Sequence, residues 1–423
     1  MNILYLHQHF ATRQGSGGTR SYEFAQHLLR EGHKVTMVTA HRRGSGIENL
    51  PRQTVDGIDV ISLGGYYTNY LPAWRRILEF LRFTARASVI RELPYRPDVV
   101  IATSTPLTIG IPGAVLARRL RAPFVFEVRD LWPQAPIELG VLKDPVSIWL
   151  ARRLERWLYR RASRIIALSP GMADGVRQAG TPDEKIVTIT NASDTDLFAP
   201  EHRDRTLLRS EGVEGKFVAI HAGMMGKANG LDYVVKAARV LKQRGADDIH
   251  ILITGYGNTR PALEQMVADW RLENVTFTGS IPRELLGPFV SSCDVAITSF
   301  ANLPVLSTNS PNKLFDGLAA GLPNIVNSPG WTRDLVLEHN AGAYVDNQDP
   351  EQLADALIHL RDHPEECLLQ GANARKLALE QFDRAKLAVR FEAVLRGVTP
   401  AFEEDTEPPI PGEVAEATPL HRA

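Results

Sequence analysis

Apolar residues along the chain come in short continuous runs separated by amphipathic stretches. Asn2-Ile3-Leu4-Tyr5-Leu6 reads as a buried strand, followed by a glycine-rich loop, Gly15-Ser16-Gly17-Gly18. From about Ser21 to Arg30 the apolar positions Tyr22, Ala25, Leu28 and Leu29 recur at helical spacing. Gly32 closes that helix, and Lys34-Val35-Thr36-Met37-Val38-Thr39 reads as the next strand. Strands that are apolar throughout and alternate with helices predict a parallel sheet covered on both faces. The same pattern predicts strands at Val99–Ala102, Phe124–Val128, Ile165–Leu168 and Lys185–Ile189.

After Asn191 the pattern breaks, and residues 200–215 are polar and charged. A second series starts at Phe217–Gly223, with a helix expected at about Leu231–Arg244 and strands at His250–Thr254, Val275–Thr278, Val295–Thr298 and Asn324–Val326. Two such series predict two doubly wound, Rossmann-like α/β domains, residues 1–195 and 196–396, facing across a cleft. The remainder, 397–423, carries Glu403-Glu404-Asp405 and Pro408-Pro409 and reads as a disordered acidic tail. In open α/β sheets ligands gather beyond the carboxyl ends of the strands, so chemistry is expected in the cleft.

Composition narrows the class. With 44 % apolar and 23 % charged residues the chain is neither fibrous nor disordered as a whole. Two cysteines, Cys293 and Cys367, make no disulfide framework or zinc site and fit a reducing compartment. The longest nearly apolar stretch, Pro106 to Ala117, is too short for a membrane span, and Met1–Leu6 runs straight into a strand with no signal-peptide pattern. The net charge of −1 hides an asymmetry: residues 1–200 hold 26 Lys+Arg against 18 Asp+Glu, whereas 201–423 hold 22 against 31. The basic front half suits an anionic lipid surface or a phosphate ligand, and no nucleic-acid motif accompanies it.

The strongest local signal is Asn309-Ser310-Pro311-Asn312-Lys313-Leu314-Phe315-Asp316-Gly317. Ser310 suits a helix N-cap and Pro311 the first helical position. Such a helix start is an anion site, to which Lys313 adds a full charge. Asn312 and Asp316, four apart, share a face, which puts phosphates outside and ribose hydroxyls on Asp316. Gly17 and Gly18 let main-chain N–H groups approach a phosphate, with Arg20 the nearest charged side chain. Glu127-Val128-Arg129-Asp130 ends a buried strand, where cleft residues belong. Asp130 could bind a ligand or orient a reacting hydroxyl, and Glu127 is an alternative general base. The D-x-D at Asp194-Thr195-Asp196 falls on the inter-domain segment and is not expected to hold a metal.

With Gly321-Leu322-Pro323 after it, the 309–321 segment resembles the donor-site helix of retaining, nucleotide-sugar-dependent glycosyltransferases of family 4, which have the GT-B fold. Within that family it is most similar to the bacterial fucosaminyltransferase-like branch. The family usually carries two glutamates eight apart here. Aligned on Asp316, this chain has Thr308 at the first place. Thr190-Asn191-Ala192-Ser193-Asp194, with Phe198 and Pro200, resembles the hinge segment. The 221–232 segment resembles the loop opening the second domain, where relatives place an Arg and a Lys at the positions of Met224 and Asn229. Gly223 and Lys227 on that loop, Gly257 in the turn Gly255-Tyr256-Gly257, and Ile281 in Gly279-Ser280-Ile281-Pro282 fall in the family's donor-binding order, together with Thr308 and Asn309. The resemblance covers roughly residues 1–395. It implies transfer of a hexose or N-acetylaminosugar, from UDP for preference, to a lipid-linked or cell-envelope glycan, as in lipopolysaccharide or exopolysaccharide synthesis. It implies no metal cofactor, with Lys313 and Lys227 on the diphosphate and Asp130 on the donor sugar or the acceptor hydroxyl. An epimerase of the same twin-domain plan and a non-catalytic sugar-nucleotide-binding subunit remain open at this point.

Leu71 to Arg91 reads as a basic amphipathic helix. Its apolar stripe holds Leu71, Trp74, Leu78, Leu81, Ala85 and Val89, flanked by Phe80 and Phe83, and Arg75, Arg82 and Arg86 lie alongside. A second basic run spans Arg152 to Arg164. Both suit docking on an anionic membrane surface or contact with the acceptor, which would place the protein peripherally on the inner face of the cytoplasmic membrane.

Overall fold

The computed structural model describes residues 1–15, 18–40, 44–64 and 73–399. In the first lobe the strands are β1 (Asn2–Leu6), β2 (Lys34–Thr39), β3 (Arg52–Val55), β4 (Ile58–Ser62), β5 (Val99–Thr103), β6 (Phe124–Val128), β7 (Arg164–Ala167) and β8 (Ile186–Thr188). They form one sheet in the order β3-β4-β2-β1-β5-β6-β7-β8, parallel except for the β3–β4 pair. That hairpin was not predicted: β3 lies at the sheet edge and alternates exposed with half-buried residues, so it lacks a continuous apolar run. In the second lobe β9 (Phe217–Ala222), β10 (Ile249–Thr254), β11 (Val275–Gly279), β12 (Val295–Thr298), β13 (Asn324–Val326) and β14 (Gly342–Tyr344) form a wholly parallel sheet, ordered β11-β10-β9-β12-β13-β14.

Alternation along each strand feeds two core layers per lobe. In β1, Ile3 and Tyr5 pack with Phe24 and Leu28 of the Arg20–Arg30 helix, whereas Leu4 and Leu6 face the opposite layer with Phe83, Leu116 and Leu158. In the second lobe Ala219 and Ile251 face the Leu231–Gln243 helix, and Val218 and Ile220 face the Asn312–Ala319 helix. Gly317 brings that last helix onto the sheet, since a Cβ there would stand 2.6 Å from the Ala296 Cβ.

The chain crosses between the lobes twice. The outgoing segment holds Ser193 and the fully buried Phe198, and Ser193 bridges in β fashion to Asp383 on the return. A contiguous second domain running to residue 396 therefore does not describe the last helix. Arg384–Arg396 packs Leu387, Ala388, Phe391 and Leu395 into the first lobe, with Phe391 4.8 Å from the Phe24 ring. Buried Glu392 fastens it there, accepting from His27 at 2.8 Å and His33 at 2.9 Å. The tail beyond residue 399 lies outside the described residues.

Candidate active site between the lobes

A cavity of about 350 Å³ lies between the lobes. The first lobe contributes His7, just past β1, and Arg129 and Asp130, just past β6, with Gly18. The second contributes Asn309 to Lys313, the approach and first turn of the Asn312–Ala319 helix. Each apolar strand ends at the lobe surface, and the polar residues that follow meet across the gap. A larger cavity, about 690 Å³, lies behind the hinge among Thr188, Trp331, Phe382 and Arg390. It lacks the strand-end residues and the helix start, so the smaller cavity is the site with the means for chemistry.

The second-lobe wall is docked onto the first lobe. The Val305 N–H donates to Glu138 at 2.7 Å, Ser169 Oγ donates to the Thr308 carbonyl, and Asn191 Nδ2 donates to the Ser310 carbonyl at 2.6 Å. Behind it, Trp331 Nε1 donates to the Asn309 carbonyl at 2.8 Å. Ser310 was expected to cap the helix and does not. Its hydroxyl accepts from the Asn191 N–H at 3.0 Å, and the capping position falls to Pro311, which makes no side-chain cap bond. The serine thus joins the lobes, and the helix start that carries the positive dipole end faces the cavity.

Charge in the cavity is mostly positive. Lys313 Nζ donates to Asn229 Oδ1 at 2.8 Å and lies 5.2 Å from the centre of the Phe300 ring. Its position needs Gly223, because a Cβ there would approach the lysine Cε to 3.0 Å. Desolvation in the cleft lowers the Lys313 ammonium to about 8. Beneath it lies fully buried His221, hydrogen-bonded through Nδ1 to the Ile297 carbonyl, its Nε2 without a partner among the described residues. Burial and the Lys313 charge hold that imidazole neutral. Across the gap, desolvation pushes Asp130 up to about 6, although Arg129 pulls the other way. A carboxyl so placed can accept or give a proton near neutral pH.

Several predicted residues stand elsewhere. Arg20 and Glu127 are both buried and form an ion pair at 2.9 Å, and Arg20 also donates to the Ile189 and Thr190 carbonyls. Glu127 accepts further from Thr103 at 2.6 Å and Tyr5 at 3.4 Å. Burial would raise its carboxyl, but the Arg20 and Arg129 charges outweigh that and hold it below the usual range. Arg20 is therefore no phosphate ligand and Glu127 no general base: the pair braces the first lobe. Buried Asp316 accepts from Ser193 at 2.8 Å and pairs with Arg283 at 3.1 Å, so a ribose reaching it would have to displace Arg283. Thr308 packs on Gly171 of the first lobe rather than lining the cavity. Lys227 is exposed on a short turn outside the lining, and Ile281 packs against the second-lobe core. Gly257 sits so close to the Met225 carbonyl that a Cβ would lie 2.2 Å away. Gly17 and the side chain of Trp74 lie outside what is described. On the inter-lobe segment Asp194 lies 4.0 Å from Arg13 and 3.9 Å from Arg384, surroundings that disfavour a bound cation. Sequence reading missed His7, which follows directly on apolar β1, and gave Arg129 no role although it placed that segment in the cleft.

Two facing Rossmann-like lobes, a double hinge and a final helix returned to the first lobe make this a protein of the GT-B fold. Solved structures agree at the level of fold. Anabaena HepE in complex with UDP superposes with a TM-score of 0.69 at 18 % identity, covering 94 % of this chain and 100 % of that one. Sucrose-phosphate synthase from Thermosynechococcus elongatus gives 0.76 at 18 % identity, covering 95 % and 99 %. The glycosyl transferase 4-like domain family matches residues 15–192, and the family glycosyl transferases group 1 matches residues 216–363. The chain belongs to the glycosyltransferases of GT-B type. Among curated relatives it is 25 % identical to the GDP-mannose-dependent alpha-mannosyltransferase of Mycobacterium tuberculosis, over 79 % of this chain and 81 % of that protein. It is 23 % identical to the alpha-D-kanosaminyltransferase of Streptomyces kanamyceticus, over 67 % and 73 %. Among the described residues no helix is long and apolar enough to cross a membrane.

Proposed function

We propose that this glycosyltransferase is a family 4 retaining enzyme of the fucosaminyltransferase-like branch. It moves a hexose or N-acetylaminosugar from a nucleoside-diphosphate sugar, with UDP as the nucleotide, onto a lipid-linked or cell-envelope glycan. The observation that carries this reading is the inter-lobe cavity. There a helix start and Lys313 from one lobe face Asp130 and Gly18 from the other. The N-terminal end of the helix dipole and the ammonium stabilise negative charge on a departing diphosphate. Asp130, on the cavity wall, orients the acceptor hydroxyl. The cations of the protein take the part a divalent metal would otherwise play, so transfer proceeds without one.

The acceptor side suits a membrane surface. On the Ala73–Ser88 helix Phe83 and Ala87 face the core, while Ile77, Leu78 and Leu81 are exposed beside Arg75, Arg82 and Arg86. Arg82 pairs with Glu79, and Arg86 donates to the Leu63 carbonyl. On the same face of the first sheet the Pro145–Arg161 helix exposes Val146, Trp149 and Leu150 among its arginines. Apolar side chains framed by arginine fit an anionic bilayer, in keeping with a peripheral position on the inner face of the cytoplasmic membrane.

The test is calorimetric binding of a panel of UDP- and GDP-hexoses and N-acetylhexosamines, followed by transfer to lipid-diphosphate glycans with and without EDTA. The anomer of the product is read by NMR. Binding of one donor, EDTA-insensitive transfer and a retained anomeric configuration are expected. Donor binding without transfer to any acceptor, or an inverted product, refutes the reading.

A further inference from the structure

We infer that Arg129 is a second diphosphate ligand, supplied by the first lobe, so that the two cations meeting the leaving group are divided between the lobes. The inference rests on the nucleoside-diphosphate-sugar reading above and adds a residue to it. Arg129 stands just past β6, opposite the start of the Asn312–Ala319 helix, and lines the cavity with it. A Cβ on Gly18 would lie 3.3 Å from Arg129 Nη2 and 3.7 Å from Asn312 Nδ2, so the glycine backbone, the guanidinium and the helix start converge on one small region.

The way Arg129 is held leaves its charge available. Nη1 donates to His7 Nε2 at 3.2 Å, a contact that requires that ring nitrogen to be unprotonated. Among the described residues no carboxylate lies within ion-pair distance of Arg129. Asp130 and buried Glu127 feel its field without touching it. Arg20, in contrast, is neutralised by direct contact with Glu127. Lys313 on the opposite wall is likewise held by a neutral acceptor, Asn229. Two cations oriented by uncharged partners thus face one cavity whose single lining carboxylate among the described residues is Asp130. That balance selects an anion of more than one charge, and the planar guanidinium suits two oxygens of one phosphate group. Because the cations come from different lobes, a diphosphate is fully met only when the cleft is closed. Donor binding and lobe closure are therefore coupled.

The experiment compares wild type, Arg129→Gln, Arg129→Lys and Arg129→Ala by calorimetry with UDP and UMP (GDP and GMP in parallel), together with donor kinetics and thermal melting. Glutamine removes the charge while leaving a polar side chain of similar stem at the cavity wall. Arg129→Gln and Arg129→Ala are expected to weaken UDP about tenfold or more while UMP stays within about threefold, with Arg129→Lys recovering part of the loss. Unchanged UDP affinity and turnover in Arg129→Gln overturns the assignment of Arg129 and leaves the donor reading standing. Equal losses for UMP and UDP also overturn it, because they mark general damage to the nucleotide site. A wild type that binds no nucleoside diphosphate overturns both readings.

Discussion

Asp130→Asn should stabilise the protein while impairing transfer, because the carboxylate is held where ionisation is unfavourable. Its pKa rises from an ordinary 3.8 to about 6, chiefly through desolvation. At about 1.36 kcal/mol per tenfold change, that displacement makes the ionised group cost about 3 kcal/mol of folding stability at pH 7.5. Water reaching the cleft reduces the figure, so a gain of about 1–3 kcal/mol is expected for the asparagine variant, or about 1–3 °C in Tm for a chain of this size. The sign fixes the pH window. A carboxyl whose folded pKa is raised binds its proton more tightly when folded, so the penalty is absent below about pH 3.8 and complete above about pH 6. Thermal melting of both proteins from pH 4 to pH 8 should show a Tm difference that grows through this window and then levels off. Donor turnover by the variant should fall at least tenfold. A Tm difference independent of pH, or none at any pH, refutes the argument that burial controls this group.

Glu127→Gln leaves Arg20 buried without its counter-charge and should cost about 3–5 kcal/mol, read as a lowered denaturant midpoint; an unchanged midpoint refutes the bracing role. Lys313 loses its charge as pH rises through about 8, so UDP affinity in the wild type should fall above that pH, whereas Lys313→Arg should hold it to about pH 10. Parallel curves would remove Lys313 from the phosphate site. Replacing Ile77, Leu78 and Leu81 together by serine should cut co-sedimentation with phosphatidylglycerol vesicles at least fivefold without lowering helix content, since all three are exposed. Undiminished binding would place the membrane contact elsewhere.

Periodicity alone reveals most of the architecture, because a strand buried on both faces has to be apolar throughout and a helix on a sheet has to be apolar on one side. The runs at Phe124–Val128 and Val295–Thr298 became strands with those bounds, whereas the edge strand Arg52–Val55, with one face in water, left no such trace. The sequence likewise marks where cleft residues stand, at the ends of apolar runs and at the start of the Asn312 helix. It does not say which charges are spent within the protein. Arg20, Glu127, Arg129 and Asp130 look alike in a linear reading, yet the first two neutralise each other in the core and the last two face the cavity. Ser310 and Asp316 have the local signs of a helix cap and a ribose ligand, yet Asn191, Ser193 and Arg283 claim them across the fold. Those partners are 33 to 123 residues away in the chain. Local propensity follows from neighbours in sequence, but the fate of a charge or a hydrogen bond is decided by whichever partner the fold brings within about 3 Å.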